Sequence, residues 1–416
     1  MESTLHELFD MVLRWVHLIA GIMWVGNSML FNWLDRNLIK PPTGGSPSAP
    51  APGEHGVAKK EGLIGTIWMV HSGGFYEVEK KFLAPSQMPK ILHWFKWQSY
   101  TTWVTGALLL ALVYYSGGGV LMVDPNVAPL EAPIAMAIGA GAIVGSFILY
   151  DLLWRSPLAK YESVTAGLSL ASLCGVVWVL THQLSGRAAF IHVGAILGTI
   201  MAGNVFFHII PSQRELVAAT NAGRPQDPAI GNHAKQRSIH NNYLTFPLLF
   251  TMLSNHFGSV YGHKYNWLLL GVIFVGGALV RHFMNIRFTF ERWLPALGAT
   301  VAVALGAVGV IVVWQQPAPA SNAPANVGDK VSFTSVRLVL QERCVPCHSA
   351  NQTDKSLPAP PPGIRFDTPE EIKTFASRIK ARAITQRTMP LNNKTGMTDE
   401  ERDMLARWFM QGARID

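Results

Sequence analysis

Long apolar segments alternate with short polar ones along most of the chain. The clearest segment, WLPALGATVAVALGAVGVIVVW at residues 293–314, contains no ionisable side chain. A helix of about 20 apolar residues spans the ~30 Å hydrocarbon core of a bilayer, and a buried helix of a soluble protein is seldom apolar over so long a stretch. The pattern predicts eight membrane-spanning helices, at residues 11–34, 95–116, 132–154, 162–184, 188–211, 238–258, 264–284 and 293–314.

The pattern changes after the last of these spans. Residues 317–331 are rich in proline and alanine, which is typical of an extended tether. Residues 332–416 mix apolar and charged positions at helical spacing, and Thr398 and Glu401 have the spacing of a capping box. The sequence therefore predicts a mainly α protein with a membrane domain over 1–316, a linker over 317–331 and a small all-α domain over 332–416.

Composition and charge agree with this organisation. The 416 residues are 49% hydrophobic and 14% charged, whereas soluble proteins contain about 25% charged residues. Lysine and arginine are concentrated in the loops after the first, third, fifth and seventh spans, and basic loops face the cytoplasm. The N-terminus and the tail are therefore predicted outside the cytoplasm. The formal net charge of +8 follows from this topology, and no nucleic acid is expected as a partner.

The tail contains the motif C-x-x-C-H, formed by Cys344, Cys347 and His348. Two thiols three residues apart can reach both vinyl groups of one porphyrin, and the adjacent histidine can then ligate the iron. A zinc site and a redox disulfide are the alternatives, but zinc favours a second ligand pair and a disulfide does not use the histidine. The motif favours one covalent haem c, with Met389 as the second axial ligand and Met397 as the alternative.

Ionisable side chains in or beside the predicted spans are the second group of candidates. Such groups are costly in a bilayer and usually face the protein interior. Each one singly is also explained by a hydrogen bond between helices. As a group they predict a substrate site or the ligands of an additional haem b. The candidates are His17, His71, Asp151, His192, His208, His240, Arg281 and His282.

Loop charge also sorts these candidates by depth. It places His17 and His192 toward the outer face and the other candidates toward the inner face. Because haem c is predicted outside, a substrate site at the inner face needs a second redox centre across most of the ~30 Å core. A site near His17 and His192 does not need one.

A weak internal repeat accompanies the apolar pattern. AGIMWVGNSMLFNWL from residue 20 aligns with LGTIMAGNVFFHIIP from residue 197, and two shorter pairs follow in the same order. The repeat predicts two parallel four-helix units related by an axis along the membrane normal. Chance similarity is the alternative, because glycines commonly pack membrane helices.

Four segments, followed by C-x-x-C-H, make the whole chain resemble the bacterial membrane-bound urate oxidases, or urate hydroxylases. The segments are LRWVHLIAGIMWVGNSMLFNWLD, WMVHSGGFYEVEKK, WFKWQSYTTWVTGALLL and FFHIIPSQRELV. The resemblance implies an eight-helix domain with a cytochrome c tail in the bacterial inner membrane. The N-terminus and the tail then lie on the periplasmic side.

The resemblance also implies a reaction in purine degradation. Urate would lose two electrons while water adds at C5, giving 5-hydroxyisourate. The electrons would leave through haem c to a downstream cytochrome c or terminal oxidase, without formation of hydrogen peroxide. The expected partners are urate, the lipid bilayer and that electron acceptor.

Two other functions fit the residues. One is a membrane electron-transfer subunit that links quinol to periplasmic cytochromes through haem b and haem c. The other is a transporter or assembly protein with a redox-sensing tail.

Overall fold

The structure is a computed structural model that describes residues 2–40, 62–125, 127–314, 330–354, 364–385 and 387–416. The predicted linker, 317–331, lies outside these residues except at its last two positions. The chain is mainly helical, as predicted. The helices are α1 (Glu2–Asn37), α2 (Trp97–Leu110), α3 (Ala132–Arg155), α4 (Glu162–Gln183), α5 (Gly186–Gly203), α6 (Ile210–Asn221), α7 (Pro228–Leu253), α8 (Gly258–Tyr261), α9 (Asn266–Ile286), α10 (Trp293–Trp314), α11 (Phe333–Arg343), α12 (Pro369–Thr374), α13 (Ala376–Ile379) and α14 (Asp399–Met410).

Six segments of the described chain are helices long and apolar enough to cross a membrane. They are Leu5–Asn37, Ala132–Arg155, Glu162–Gln183, Gly186–Asn221, Asn266–Ile286 and Trp293–Val313. Each overlaps one of the eight predicted spans. The other two predicted spans are helical but less regular or more polar. In one, α2 ends in a π-helical turn, Ala111–Tyr115. The other corresponds to the second half of α7, which has a polar first half and contains Pro247.

Helix α10 shows why these helices suit a bilayer. Its apolar side chains face outward, and Val303, Leu305 and Val313 are each about 70% exposed. A contiguous apolar surface of this kind is costly in water but not in lipid. On its other side α10 packs closely against α9. A Cβ atom placed on Gly276 of α9 would lie 3.0 Å from the Cβ atom of Ala304, so a small residue at this position lets the two helices approach.

A two-stranded antiparallel hairpin follows α1, and the sequence analysis did not predict it. Strand β1 (Leu63–His71) pairs with β2 (Gly74–Lys81), and His71 lies opposite Gly74. The turn residues Ser72 and Gly73 have φ angles of 50° and 76°. Positive φ at both positions is characteristic of the type I′ turn, which matches the twist of a hairpin.

Contacts divide the chain into two units that interleave along the sequence. Unit 1 contains Met1–His17, Trp103–Met201 and Tyr243–Asp416, and unit 2 contains Leu18–Thr102 and Ala202–Asn242. Unit 1 has two separate apolar cores. One is built by α3, α4, α5 and α9, and the other lies wholly within residues 336–413. The C-terminal segment, residues 330–416, therefore has an apolar core of its own.

The first and last helices of the C-terminal segment hold that core together. Trp408 of α14 is only 2% exposed, and its ring lies 6.4 Å from that of Phe333 in α11. The Arg343 guanidinium donates to the Glu401 carboxylate at 3.0–3.1 Å. Thr398 and Glu401 form the predicted capping box at the start of α14. The predicted helical patterns at both ends of this segment are thus confirmed.

The packing of α3 against α5 depends on Gly139. A Cβ atom at this position would lie 2.7 Å from Nε2 of His192 and 2.8 Å from Cε of Met122. At Gly141, two residues along α3, the same atom would meet nothing within 4 Å. The two glycines therefore form a matched pair for testing the packing of His192.

We expect Gly139→Ala to lower the free energy of unfolding by about 1–3 kcal/mol, because the methyl group displaces a packed imidazole. Gly141→Ala should leave stability unchanged or raise it by up to about 1 kcal/mol, because alanine favours helix. Thermal unfolding of the two variants in detergent measures the difference. Equal melting temperatures would contradict the packing described here.

Candidate functional site

The C-x-x-C-H motif lies on the turn that follows α11. The backbone N–H groups of Cys347 and His348 donate to the carbonyl oxygen of Cys344 at 3.2 and 2.9 Å. The two thiols and the imidazole therefore come from five consecutive residues on one turn. Cys344 is buried in the C-terminal core and Cys347 is half-buried.

The imidazole of His348 is held by the backbone. Its Nδ1 atom lies 3.2 Å from the carbonyl oxygen of Ile364, and its ring centroid lies 5.0 Å from that of Phe366. A bond from Nδ1 to a carbonyl fixes the tautomer and directs Nε2 toward a metal, as ligating histidines require. Burial lowers the pKa of His348, which favours the neutral imidazole that binds iron.

The surroundings of the two thiols in the motif favour their protonated form. Burial raises the pKa of Cys344 to about 12 and that of Cys347 to about 11, whereas redox-active thiols have lowered pKa values. The two cysteines are not joined by a disulfide. Over the described ranges, no group of three or more His, Cys, Asp or Glu side chains is arranged to hold a metal ion. Two thiols and an adjacent imidazole are the donor set that attachment of haem c uses.

Met389 lies on a loop that Arg402 of α14 secures. Arg402 is 5% exposed, and its Nη1 atom donates to the carbonyl oxygens of Met389, at 2.9 Å, and Ala383. Its Nη2 atom lies 3.3 Å from Oδ1 of Asn393. Met389 is half-buried beside the core, whereas Met397 is 3% exposed within it. A half-buried sulfur on a secured loop suits an axial ligand better than a sulfur enclosed by the core.

A second polar site lies in unit 2, between two helical segments. One segment is α7. The other is continuous and consists of the end of α5, a π-helical turn (Asn204–Ile209) and α6. Three hydrogen bonds cross between these antiparallel segments, and we call them the polar ladder. Nδ2 of Asn204 donates to Oδ1 of Asn241 at 2.9 Å. Nε2 of His233 lies 3.2 Å from Nδ1 of His208. Oγ of Ser212 donates to the carbonyl oxygen of Ile230 at 3.3 Å.

The polar ladder continues along one face of α7. His233, Arg237 and His240 are spaced i, i+4 and i+7, so they share that face. Arg237 is fully buried and lies about one helical turn from both His233 and His240. Arg237 therefore carries a positive charge into the ladder.

A pocket of about 540 Å³ lies beside the His208–His233 and Ser212–Ile230 hydrogen bonds of the polar ladder. Phe207, His208, Ser212, Glu215 and His233 are among the residues that line it. Glu215 forms an ion pair with Arg224 at 2.7 Å. The pocket thus combines an aromatic ring, two imidazoles and a hydroxyl group, which can bind a planar, hydrogen-bonding molecule.

The structure places the outer histidines in packed surroundings within unit 1. Nδ1 of His17 lies 3.1 Å from Oγ1 of Thr105. His192 is fully buried, with Nδ1 2.8 Å from the carbonyl oxygen of Ala188 and Nε2 2.9 Å from the Tyr115 hydroxyl. Both ring nitrogens of His192 are used within the protein, so a structural role explains this residue.

The remaining candidates have partners or surroundings of their own. In unit 1, Asp151 pairs with Arg155 at 2.7 Å, and Nδ1 of His282 lies 2.8 Å from the Tyr243 hydroxyl. Arg281 is buried, with its guanidinium 5.8 Å from the centre of the Phe246 ring. In unit 2, His71 ends β1 and is exposed. Of the candidates, only His208 and His240 belong to the polar ladder.

The His208–His233 pair bears on the additional haem b. Two histidines that ligate one haem iron must have the porphyrin plane between them. At 3.2 Å the two ring nitrogens are in direct contact, which leaves no room for a porphyrin. This pair does not fit haem b.

The sequence analysis missed five side chains of the polar ladder, namely Asn204, Ser212, His233, Arg237 and Asn241. A signal was present in HAKQRSIHNN, where polar residues recur at helical spacing. It was overlooked because the predicted span began at residue 238, after His233 and Arg237.

Comparison with known proteins identifies the membrane part. Residues 3–314 match the protein family described as urate oxidase N-terminal. The match ends at the last residue of α10, before the C-terminal segment. No curated protein and no solved structure matches the chain. Because the match covers well over half of the 416 residues, the chain belongs to the urate oxidase N-terminal family.

Proposed function

We propose that this protein oxidises urate to 5-hydroxyisourate in purine degradation and delivers the electrons to a haem c on its own C-terminal segment. Family membership indicates an oxidoreductase that acts on urate. The proposed delivery of electrons to haem c rests on the C-x-x-C-H turn, on the orientation of the His348 imidazole and on the loop of Met389 that Arg402 holds in place. A covalent electron carrier on the same chain gives the electrons a route that does not involve dioxygen.

The reaction is balanced without dioxygen. One urate and one water give one 5-hydroxyisourate, two protons and two electrons. The oxygen of water forms a bond to C5, and both electrons come from the purine ring. Haem c, when bound, accepts one electron at a time, so each urate requires two transfers to the haem and onward to a downstream cytochrome c or terminal oxidase.

Four residues of the C-terminal segment would hold the haem. The sulfurs of Cys344 and Cys347 would form the two thioether bonds. Nε2 of His348 and the sulfur of Met389 would bind its iron. Methionine as the second ligand raises the reduction potential, which favours the haem as an electron acceptor.

The membrane arrangement completes the proposal. The six helices long and apolar enough to cross a bilayer, together with the helical segments at 95–116 and 238–258, would make eight spans in the bacterial inner membrane. The even number returns the chain to its starting side. Loop charge places that side, with the N-terminus and the haem, in the periplasm.

The direct test is to add urate to the purified, oxidised protein without dioxygen and to record the haem α-band. We expect urate to reduce the haem in the wild-type protein. A Cys344→Ser/Cys347→Ser variant should contain no covalent haem by pyridine haemochrome spectroscopy and should fail to accept electrons from urate. If quinol reduces a wild-type haem that urate cannot reduce, the protein is an electron-transfer subunit instead.

The second axial ligand is tested by two volume-conserving substitutions. Met389→Leu should lower the reduction potential of the haem and allow carbon monoxide to bind its ferrous form, because a coordination position opens. Met397→Leu should change neither property, because its side chain packs inside the core and substitution with leucine preserves volume. Redox titration and carbon monoxide difference spectra measure both effects. The reverse result would assign the ligand to Met397.

A further inference from the structure

The pocket at the polar ladder is built from hydrogen-bonding groups rather than from apolar side chains alone. His208 is 8% exposed, and its hydrogen-bond partner His233 is half-buried. Both imidazoles line the pocket, together with the ring of Phe207 and the hydroxyl of Ser212. The volume of about 540 Å³ lies within the range that small-molecule sites occupy.

The electrostatics of the ladder favour an anion. Arg237, one helical turn beyond His233 on the same face of α7, is fully buried. A guanidinium remains charged in proteins. The acidic residue at the pocket, Glu215, is engaged by Arg224 at 2.7 Å. Arg237 therefore places a positive charge one helical turn from His233, which lines the pocket, and the carboxylate of Glu215 is paired with Arg224.

The local backbone also marks a binding site. His208 and Phe207 lie in the π-helical turn Asn204–Ile209, which shifts the side-chain register relative to a regular helix. Single π-helical turns are frequent at functional sites. Because Nδ1 of His208 and Nε2 of His233 are 3.2 Å apart, a proton can pass between the two rings when a ligand gives up or takes a proton.

We propose that this pocket binds the urate monoanion. Urate is planar, so one face can stack on Phe207, and its carbonyl and N–H edges can pair with the two imidazoles and Ser212. The buried charge of Arg237 compensates the charge of the anion. This assignment rests on the urate oxidation proposed above and names the place where the substrate is recognised.

Binding is measured best on the full-length protein after chemical reduction, because the reduced protein cannot oxidise urate. Equilibrium dialysis with labelled urate gives the dissociation constant without turnover. His208→Gln and His233→Gln should each weaken binding by about tenfold or more, since a hydrogen bond to a charged ligand is lost. His182→Gln is the matched control, because His182 lies on α4 in unit 1, stacks on Trp178 at 4.5 Å and is not a residue of the polar ladder.

A further substitution tests the pocket without replacing any side chain of the polar ladder. Ala229 lines the pocket and is exposed, so Ala229→Trp should fold normally, fill the pocket and abolish urate binding. Wild-type affinity in Ala229→Trp and in both histidine variants would overturn the assignment. If the wild-type protein itself neither binds nor oxidises urate, the proposed function fails as a whole. Oxidation of urate by a wild-type protein, with unaltered binding in all three variants, would show that only the location is wrong.

Discussion

Polar groups inside an apolar helical protein must find partners within the protein, and this constraint organises most of the structure. An unsatisfied donor or acceptor in hydrocarbon costs several kcal/mol. His192 shows the consequence, because it is fully buried and both of its ring nitrogens are hydrogen bonded. The polar ladder between α7 and the α5–α6 helix shows it on a larger scale, with amide, imidazole and hydroxyl groups paired across the helices.

The same constraint separates structural from functional histidines. The imidazole of His192 is closely packed, since a methyl group added at Gly139 would collide with it. His208 and His233 also bond to each other, yet they border a pocket of about 540 Å³. Polar side chains that have a hydrogen-bond partner in the protein and also line a pocket are able to bind a ligand. Loop charge predicts that this pocket lies toward the cytoplasmic side. Urate bound there would require a second redox centre between it and the haem proposed on the opposite side.

Much of the fold could be predicted from the sequence, because hydrophobic length and helix-capping residues are local signals. Residues 293–314 were assigned to the helix that the structure shows as Trp293–Trp314, and the capping box at Thr398 was identified from spacing alone. The hairpin at Leu63–Lys81 was missed because its Ser72–Gly73 turn lies between strands whose residues do not alternate clearly. The polar ladder was missed in part because it depends on pairing between residues 18 to 37 positions apart, which no local pattern encodes.

The central claim is that water, not dioxygen, supplies the oxygen added to urate, and that the electrons leave as single equivalents. The most direct measurement is anaerobic oxidation of urate by the purified protein in ¹⁸O-labelled water, with an excess of a one-electron acceptor. The account predicts one labelled oxygen in the 5-hydroxyisourate product and two equivalents of acceptor reduced per urate. Consumption of urate only in the presence of dioxygen, with hydrogen peroxide as the second product, would contradict it.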